Sequence, residues 1–419
     1  MMHFNRIFFL FIRGLISLRR KGIRKTFEKI KVYIKRNKLS DSDMENLSWK
    51  SEYQENMDFS QYESQVKAIA FYLPQFHRIP ENDTWWGNGF TEWTNTRKAN
   101  PMFKGHYQPR EPHDDIGYYD LTNIETLRKQ AALAKQHGIY GFCFYLYWFS
   151  GKRLLEKPLD LLLNHPEIDI KFCVCWANEN WTKRWDGNDQ QILIKQEYKD
   201  DDPCNFVDDI KKYLLDERYI KINGEPVILV YDPSKIPNKQ KTFLFWREQS
   251  KKNGIGNIQI WITNVYDNSA EKLQTNDTVD GEVDFPPNMN LNIKVEIDWA
   301  KNKTCGVYDY KKAAISYKKH IERNAKSEVP IFHSCMLGWD NAARRKYGWT
   351  TYAGFSLNAF YEWVLFLVKE AKKGTTPFFF INAWNEWAEG TYLEPDKKYG
   401  YASINTFSKA IFDLPFSET

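Results

Sequence analysis

From Val66 onward, eight short runs rich in β-branched and aromatic residues alternate with longer stretches of helical periodicity. The runs are Ala68–Leu73, Gly141–Trp148, Lys171–Ala177, Val227–Tyr231, Ile258–Thr263, Val279–Phe285, Pro330–Met336 and Phe378–Ala383. Near-continuous apolar character is what parallel strands covered on both faces require. Only Val279–Phe285, interrupted by acids and by Gly281, fits poorly. The segments between the runs read as helices. Thr122-Asn-Ile-Glu125 has the form of a capping box, Leu127, Ala131 and Ala134 mark one face, and Gly138 suits the left-handed residue past the end. Phe206, Ile210, Tyr213 and Leu214 repeat the helical period, as do stretches near 240–252, 310–323 and 355–372. Eight strands with helical returns predict an α/β fold of the (β/α)8 TIM-like barrel type. A doubly wound open sheet is the rival, but no Gly-rich phosphate turn follows any run.

A barrel places its chemistry at the C-terminal ends of its strands. Polar and aromatic residues gather there: Gln75 and His77 after the first run, Trp148 at the second, and Asn178, Glu179 and Trp181 after the third. Asp232 follows the fourth, Asn264 the fifth, and Trp339 and Asp340 the seventh; of these, His77, Trp148, Asn178, Glu179, Trp181 and Asp340 are expected to contact the substrate. After the eighth comes Asn385-Glu-Trp-Ala-Glu-Gly390. A helical or tight turn puts carboxylates three residues apart on one side of the chain. Two carboxyls in one aromatic pocket have their pKa values pushed apart, leaving an acid and a base, the equipment for breaking a glycosidic bond. Glu386 and Glu389 are therefore the expected catalytic pair, with Asn385 and Trp387 beside the substrate. The bland alternative is a helix cap and a surface ion pair.

A long loop follows the first run, Thr84-Trp-Trp-Gly-Asn-Gly-Phe-Thr-Glu-Trp93, continuing to Gly105-His-Tyr-Gln-Pro109. Structureless loops of this length are usually functional. Trp85, Trp86 and Trp93 are expected to stack on sugar rings and Glu92 to bond sugar hydroxyls, unless the loop buries its own aromatics. Trp176-Ala-Asn-Glu-Asn-Trp181 has the same character. The chain carries 28 Phe, 24 Tyr and 16 Trp, enough for both a core and a sugar-stacking groove. No metal or cofactor is expected. Cys173 and Cys175 lie within an apolar run as small hydrophobes, and Asp186-Gly-Asn-Asp189 and Asp200-Asp-Asp202 read as solvated turns. No His/Cys set has zinc spacing, and there is no G-x-S-x-G or P-loop.

Between Met1 and Lys38 there are twelve Lys or Arg and one acid, Glu28, a net +11. Subtracting this from the chain's +5 leaves the remaining 381 residues at −6, which argues against a nucleic-acid groove in the body. Phe8, Phe9 and Phe11 stand among the basic residues, and the apolar positions recur at roughly helical spacing. Residues 1–40 are thus expected to form a basic amphipathic extension on an anionic membrane surface, the alternative being a solvated tail. Residues 41–65 read as a polar linker and 66–415 as the barrel. With no secretory signal evident and Cys143, Cys173, Cys175 and Cys335 inside strands, the expected location is the cytoplasm, peripheral to the inner membrane.

Five motifs carry a family resemblance: Phe71-Tyr-Leu-Pro-Gln-Phe-His77, Trp86-Gly-Asn-Gly-Phe-Thr-Glu-Trp93, Gly105-His-Tyr-Gln-Pro109, Trp176-Ala-Asn-Glu-Asn-Trp181 and Ala383-Trp-Asn-Glu-Trp-Ala-Glu-Gly390. From Val66 to the C-terminus the chain resembles the WbsX family, the glycoside hydrolase family 99-like domains of bacterial polysaccharide gene clusters. The resemblance implies a (β/α)8 barrel and a part in building O-antigen, capsule or another surface glycan. In the more distant family 99 endo-α-mannosidases, the first Glu of a similar motif deprotonates the sugar 2-hydroxyl to give a 1,2-anhydro-sugar with net retention. The second acts as general acid and then as base. Carried over, these are Glu386 and Glu389, and Ala388 stands where those enzymes usually have His. The combined expectation is a carbohydrate-active enzyme acting on an oligosaccharide or glycolipid with α-linked, mannose-like units. The rivals are a glycosyltransferase using a sugar nucleotide or lipid-linked sugar, and a non-catalytic carbohydrate-binding barrel.

Overall fold

The computed structural model describes residues 51–102, 105–183, 188–265, 278–288, 306–323, 329–345 and 348–416. The basic extension 1–40, the first part of the linker and Asp186 lie outside the described residues. All eight expected strands are present: β1 (Lys67–Tyr72), β2 (Ile139–Phe149), β3 (Lys171–Trp176), β4 (Glu225–Val230), β5 (Gln259–Thr263), β6 (Gly281–Val283), β7 (Ile331–Phe332 with Ser334–Met336) and β8 (Phe378–Asn382). Neighbours pair in parallel from β1 through β6 in sequence order, and β8 pairs with β1. β7 closes the ring by splitting at His333. Ile331 and Phe332 pair with Glu282 and Val283 of β6, while Ser334 to Met336 pair with Phe380 to Asn382 of β8. The interior is filled by aromatic rings, with Phe71 against Phe285 at 4.8 Å and Trp261 stacked on Phe332 at 4.0 Å.

The acids that made β6 an uncertain strand each have a partner. Asp280 accepts from Ile260 N and Arg247, Glu282 from Asn264, and Asp284 from Tyr317 while facing His333 at 2.8 Å. Paired in this way, they cost the barrel little, but the regular ladder shortens to three residues.

Between β1 and β2 the first-loop expectation needs correction. Instead of a structureless loop there are two short helices, Pro80–Trp86 and Glu92–Lys98. The helix Ile124–Gln136 is capped by Asn123, whose side chain accepts from Glu125 N, while Thr122 hydrogen-bonds Asp120 instead. Gly138 does take a positive φ of 81°, and a Cβ there would meet the Phe412 ring at 2.8 Å. Phe412 belongs to a contact surface with the N-terminal part of the body. Phe59 stacks on it, Met57 N donates to Asn405, and Gln54 exchanges backbone bonds with Tyr399 and Tyr401. The end of the expected linker is therefore docked on the last helix, Ala402–Ile411.

Candidate active site

β8 ends in a locally constrained turn. The Asn385 carboxamide accepts from Leu73 N at 2.7 Å and donates to Leu73 O at 3.0 Å, fixing the start of the turn to the end of β1. Asn385–Glu386 then pairs antiparallel with Thr391–Tyr392 around one turn of 3-10 helix, Trp387–Glu389. Gly390 has φ 64°, and a Cβ there would lie 2.9 Å from Asp340 Cβ and 3.0 Å from Arg110 Nε, so only glycine fits. The turn directs both carboxylates to one group, the Arg344 guanidinium. Its Nη2 lies 3.0 Å from Glu386 Oε2, its Nη1 2.5 Å from Glu389 Oε1, and its Nε 2.7 Å from Glu92 Oε1.

Three carboxylates around one guanidinium leave an excess of negative charge in a mostly dry site. Burial, with Glu389 and Glu92 nearby, pushes Glu386 up to about 8 despite Arg344. Burial raises Glu92 as well. Burial alone would lower Arg344, but the three carboxylates hold it well above its ordinary value. Glu386 therefore holds its proton to higher pH than an ordinary carboxyl does.

Glu386, Glu389 and Arg344 line a cavity of about 380 Å³ at the C-terminal ends of the strands. Gln75, Tyr145, Tyr147, Tyr231, Trp339, Asn341 and Arg345 also line it, and Trp86, Glu179, Asn180 and Trp181 form one side. Among the predicted substrate contacts, Trp86, Glu179 and Trp181 therefore reach the cavity. Trp85 stands behind, its ring edge against Trp181 at 5.7 Å.

The remaining predicted contacts serve the frame. Trp93 is buried, packs on Phe76 and Trp387, and donates its indole N–H to Tyr119 O. Glu92 is fully buried and given over to Arg344 rather than to a sugar. Trp148 faces outward onto Trp176 and Phe206, because strand residues alternate sides and Tyr145 and Tyr147 take the inward positions. Asn178 ties the ends of β3 and β4 by bonding Asp232 N and O. His77 is buried, and burial brings its imidazole down to about 4, so it is neutral. Asp340 is buried with His106 and Gln108 each at 2.7 Å, and its backbone N–H donates to Glu389 O. The Gly105–Pro109 motif thus braces the turn from below. Trp387 is buried and stacks on Tyr392 at 3.8 Å, and Asn385 is consumed by Leu73.

Sequence reasoning missed Arg344, Tyr145 and Tyr147. The signals were present: Arg344 lies four residues beyond Asp340, and the alternation of β2 separates its tyrosines from Trp148. Trp181→Ala is expected to raise KM roughly three- to tenfold, the scale of one aromatic contact, with kcat and Tm little changed. Steady-state kinetics beside thermal melts check it. An early melt with unchanged KM would make Trp181 a packing residue.

The fold has a solved counterpart. A structure described as a glycoside hydrolase-like protein superposes with a TM-score of 0.52 at 13% identity, covering 86% of this chain and 97% of that one. The GH99 endo-alpha-mannosidase from Bacteroides thetaiotaomicron gives a TM-score of 0.49 at 14% identity, covering 83% of this chain and 96% of that one. In sequence, the uncharacterized protein WxcX of Xanthomonas campestris pv. campestris (strain B100) is 38% identical over 357 residues, 83% of this chain. WxcX of strain ATCC 33913 matches to the same extent. The chain spans about half the length of these curated relatives. The family model described as Glycosyltransferase WbsX matches residues 68–407, from the first barrel strand through the carboxylate turn to the last helix, and the chain belongs to the WbsX family.

Proposed function

We propose that this protein is a carbohydrate-active enzyme that cleaves or transfers α-linked, mannose-like glycosides with retention, in the assembly of a surface polysaccharide such as O-antigen or capsule. The observation that carries the reading is the pairing of Glu386 and Glu389 on one guanidinium, in an aromatic cavity at the strand ends of a barrel. Ionised Glu386 takes the proton of the sugar 2-hydroxyl, whose oxygen attacks the anomeric carbon from within the ring. Glu389 gives its proton to the departing glycosidic oxygen. It then removes one from the acceptor, water or a sugar hydroxyl, as that attacks the anomeric carbon and breaks its bond to the 2-oxygen, to which Glu386 returns the proton. A base with a pKa near working pH is stronger than an ordinary carboxylate and still partly ionised, the compromise that Brønsted behaviour favours. Tyr147, whose hydroxyl accepts from Gln75, and Tyr145 supply hydroxyls to the cavity wall, and Trp86 and Trp181 supply rings.

The family's description favours a second reading, transfer from a sugar nucleotide or lipid-linked sugar. Incubating purified protein with activated α-mannosides, and separately with sugar nucleotides and acceptor oligosaccharides, distinguishes the two by product mass. Turnover of the α-glycosides without nucleotide supports the proposal. Turnover only with nucleotide supports the second reading. Saccharide binding with no product in either arm leaves a carbohydrate-binding barrel.

We also propose that residues 1–40 hold the protein on the cytoplasmic face of the inner membrane. Each Lys or Arg near an anionic surface contributes on the order of 1 kcal/mol, screened by salt. Deleting residues 1–40 should move the protein from the membrane pellet to the soluble fraction while leaving its melt unchanged. A truncated form that still pellets would refute this.

A further inference from the structure

Glu394 lies eight residues beyond Glu386, on the return from the carboxylate turn, and it is almost wholly buried at 1% exposure. Every side chain bonded to it donates. Trp387 Nε1–H reaches Oε2 at 2.7 Å, the Tyr119 hydroxyl reaches Oε2 at 2.8 Å, and Gln130 Nε2 reaches Oε1 at 2.6 Å. Gln130 is itself oriented, because its carbonyl accepts from the Tyr72 hydroxyl at 2.6 Å. A carboxylate faced by these donors and by the Trp384 indole, with no side chain asking it for a proton, is built to be charged. Burial works against this and raises Glu394 to about 7, while the donors pull it down.

Of these donors, Trp387 is the one set between Glu386 and Glu389 in the chain. Its ring is held between the Tyr392 face at 3.8 Å and Trp93 at 5.4 Å, and the N–H bonded to Glu394 adds a directional anchor to that packing. Tyr119 adds a second link, since the Asn385 amide lies 3.5 Å from its hydroxyl.

We propose that Glu394 is a positioning residue for the Glu386–Glu389 pair, acting through the indole N–H of Trp387; the proposal deepens the reading given above and rests on it. Anchoring Trp387 sets the pitch of the 3-10 turn and therefore the spacing of the two carboxylates about the sugar. Displacing a reacting group by about 1 Å costs on the order of a hundredfold in rate. Binding of the sugar, carried by the aromatic wall, is largely separate.

The test compares wild type with Trp387→Phe, Glu394→Gln and the double variant on an activated α-mannoside. Trp387→Phe removes the N–H together with the five-membered ring, so the double variant is what separates the lost bond from lost packing in this buried slot. Glu394→Gln keeps the shape but turns an amide N–H₂ toward a donor. Each single variant is expected to lose about ten- to a hundredfold in kcat with KM within about twofold, and the double variant should be no slower than the slower single. Equal kcat in Trp387→Phe and wild type, or fully multiplicative losses in the double variant, would overturn the proposal. Should Glu394→Gln fail to fold, replacement of Trp387 by its benzothiophene analogue, which keeps both rings and lacks the N–H, decides by the same kcat criterion. If wild type turns over no glycoside, the functional reading has failed and the positioning claim is read separately. Carbon-13 NMR of labelled glutamate then follows the Glu386 titration in wild type and Trp387→Phe. A moved midpoint supports the link, and an unmoved one overturns it.

Discussion

Glu386→Gln is expected to lower turnover by roughly 10²- to 10⁴-fold, the range a positioned general base supplies, on good and poor leaving groups alike. Without a base the 2-hydroxyl is not activated, whatever the leaving group. Glu389→Gln should differ, crippling substrates with poor leaving groups and sparing the cleavage step of activated ones, whose departure needs no proton. Because Glu386 is pushed up to about 8, wild-type kcat/KM should rise with pH through that region as the base loses its proton. A limb that instead falls through about 8 would make Glu386 the acid and exchange the two roles. Stability supplies an independent check. The folded-state pKa of Glu386 is raised, so its contribution to stability is complete below the ordinary carboxylate value near 4.5. It is lost as pH rises through about 8. Wild-type Tm should decline over that window, and Glu386→Gln should flatten the decline and melt no earlier than wild type at pH 8. Full activity in both single variants would return these residues to a structural role.

Much of the frame was legible because its signals are local. Eight apolar runs gave eight strands, and even β7, which splits at His333 to pair with both neighbours, was visible as one run. The pair Glu386 and Glu389 was legible because a three-residue spacing on a tight turn leaves few geometries. What could not be read locally was the division of labour among the flanking residues. Trp86 and Trp93 sit in one motif, yet one lines the cavity and the other packs on Trp387, a difference made by their falling in two separate short helices, the second started by a capping box at Thr91. Glu92, Asp340 and Asn385 look like hydroxyl ligands in sequence because carboxylates and amides serve sugars and backbones equally well. Only the fold shows that Arg344, His106 and Leu73 had already claimed them. Arg344 itself was missed because its partners lie 42 to 252 residues away.

Arg344→Met should be the most damaging single change to the folded state above neutral pH. The guanidinium is the shared counter-charge of Glu92, Glu386 and Glu389, and Glu92 is fully buried. Removing one partner of a buried pair costs about 3–5 kcal/mol, because the remaining charge keeps its desolvation penalty. The protein can escape by protonating the carboxyls. Glu92 and Glu386 are both raised even with Arg344 present, and losing it raises them further. Raised folded-state values mean stability that is present below the ordinary carboxylate pKa and lost as pH climbs through the raised values. The deficit of Arg344→Met should therefore be small near pH 4.5 and grow to its full size by pH 8 and above. Arg344→Lys should recover part of it, since an ammonium supplies the charge but cannot bridge three carboxylates with a planar fork. Urea unfolding of the three proteins at pH 5 and pH 8 measures this directly. A deficit of the same size at both pH values would show that Arg344 holds the site by packing, and the electrostatic account of the carboxylate pair would go with it.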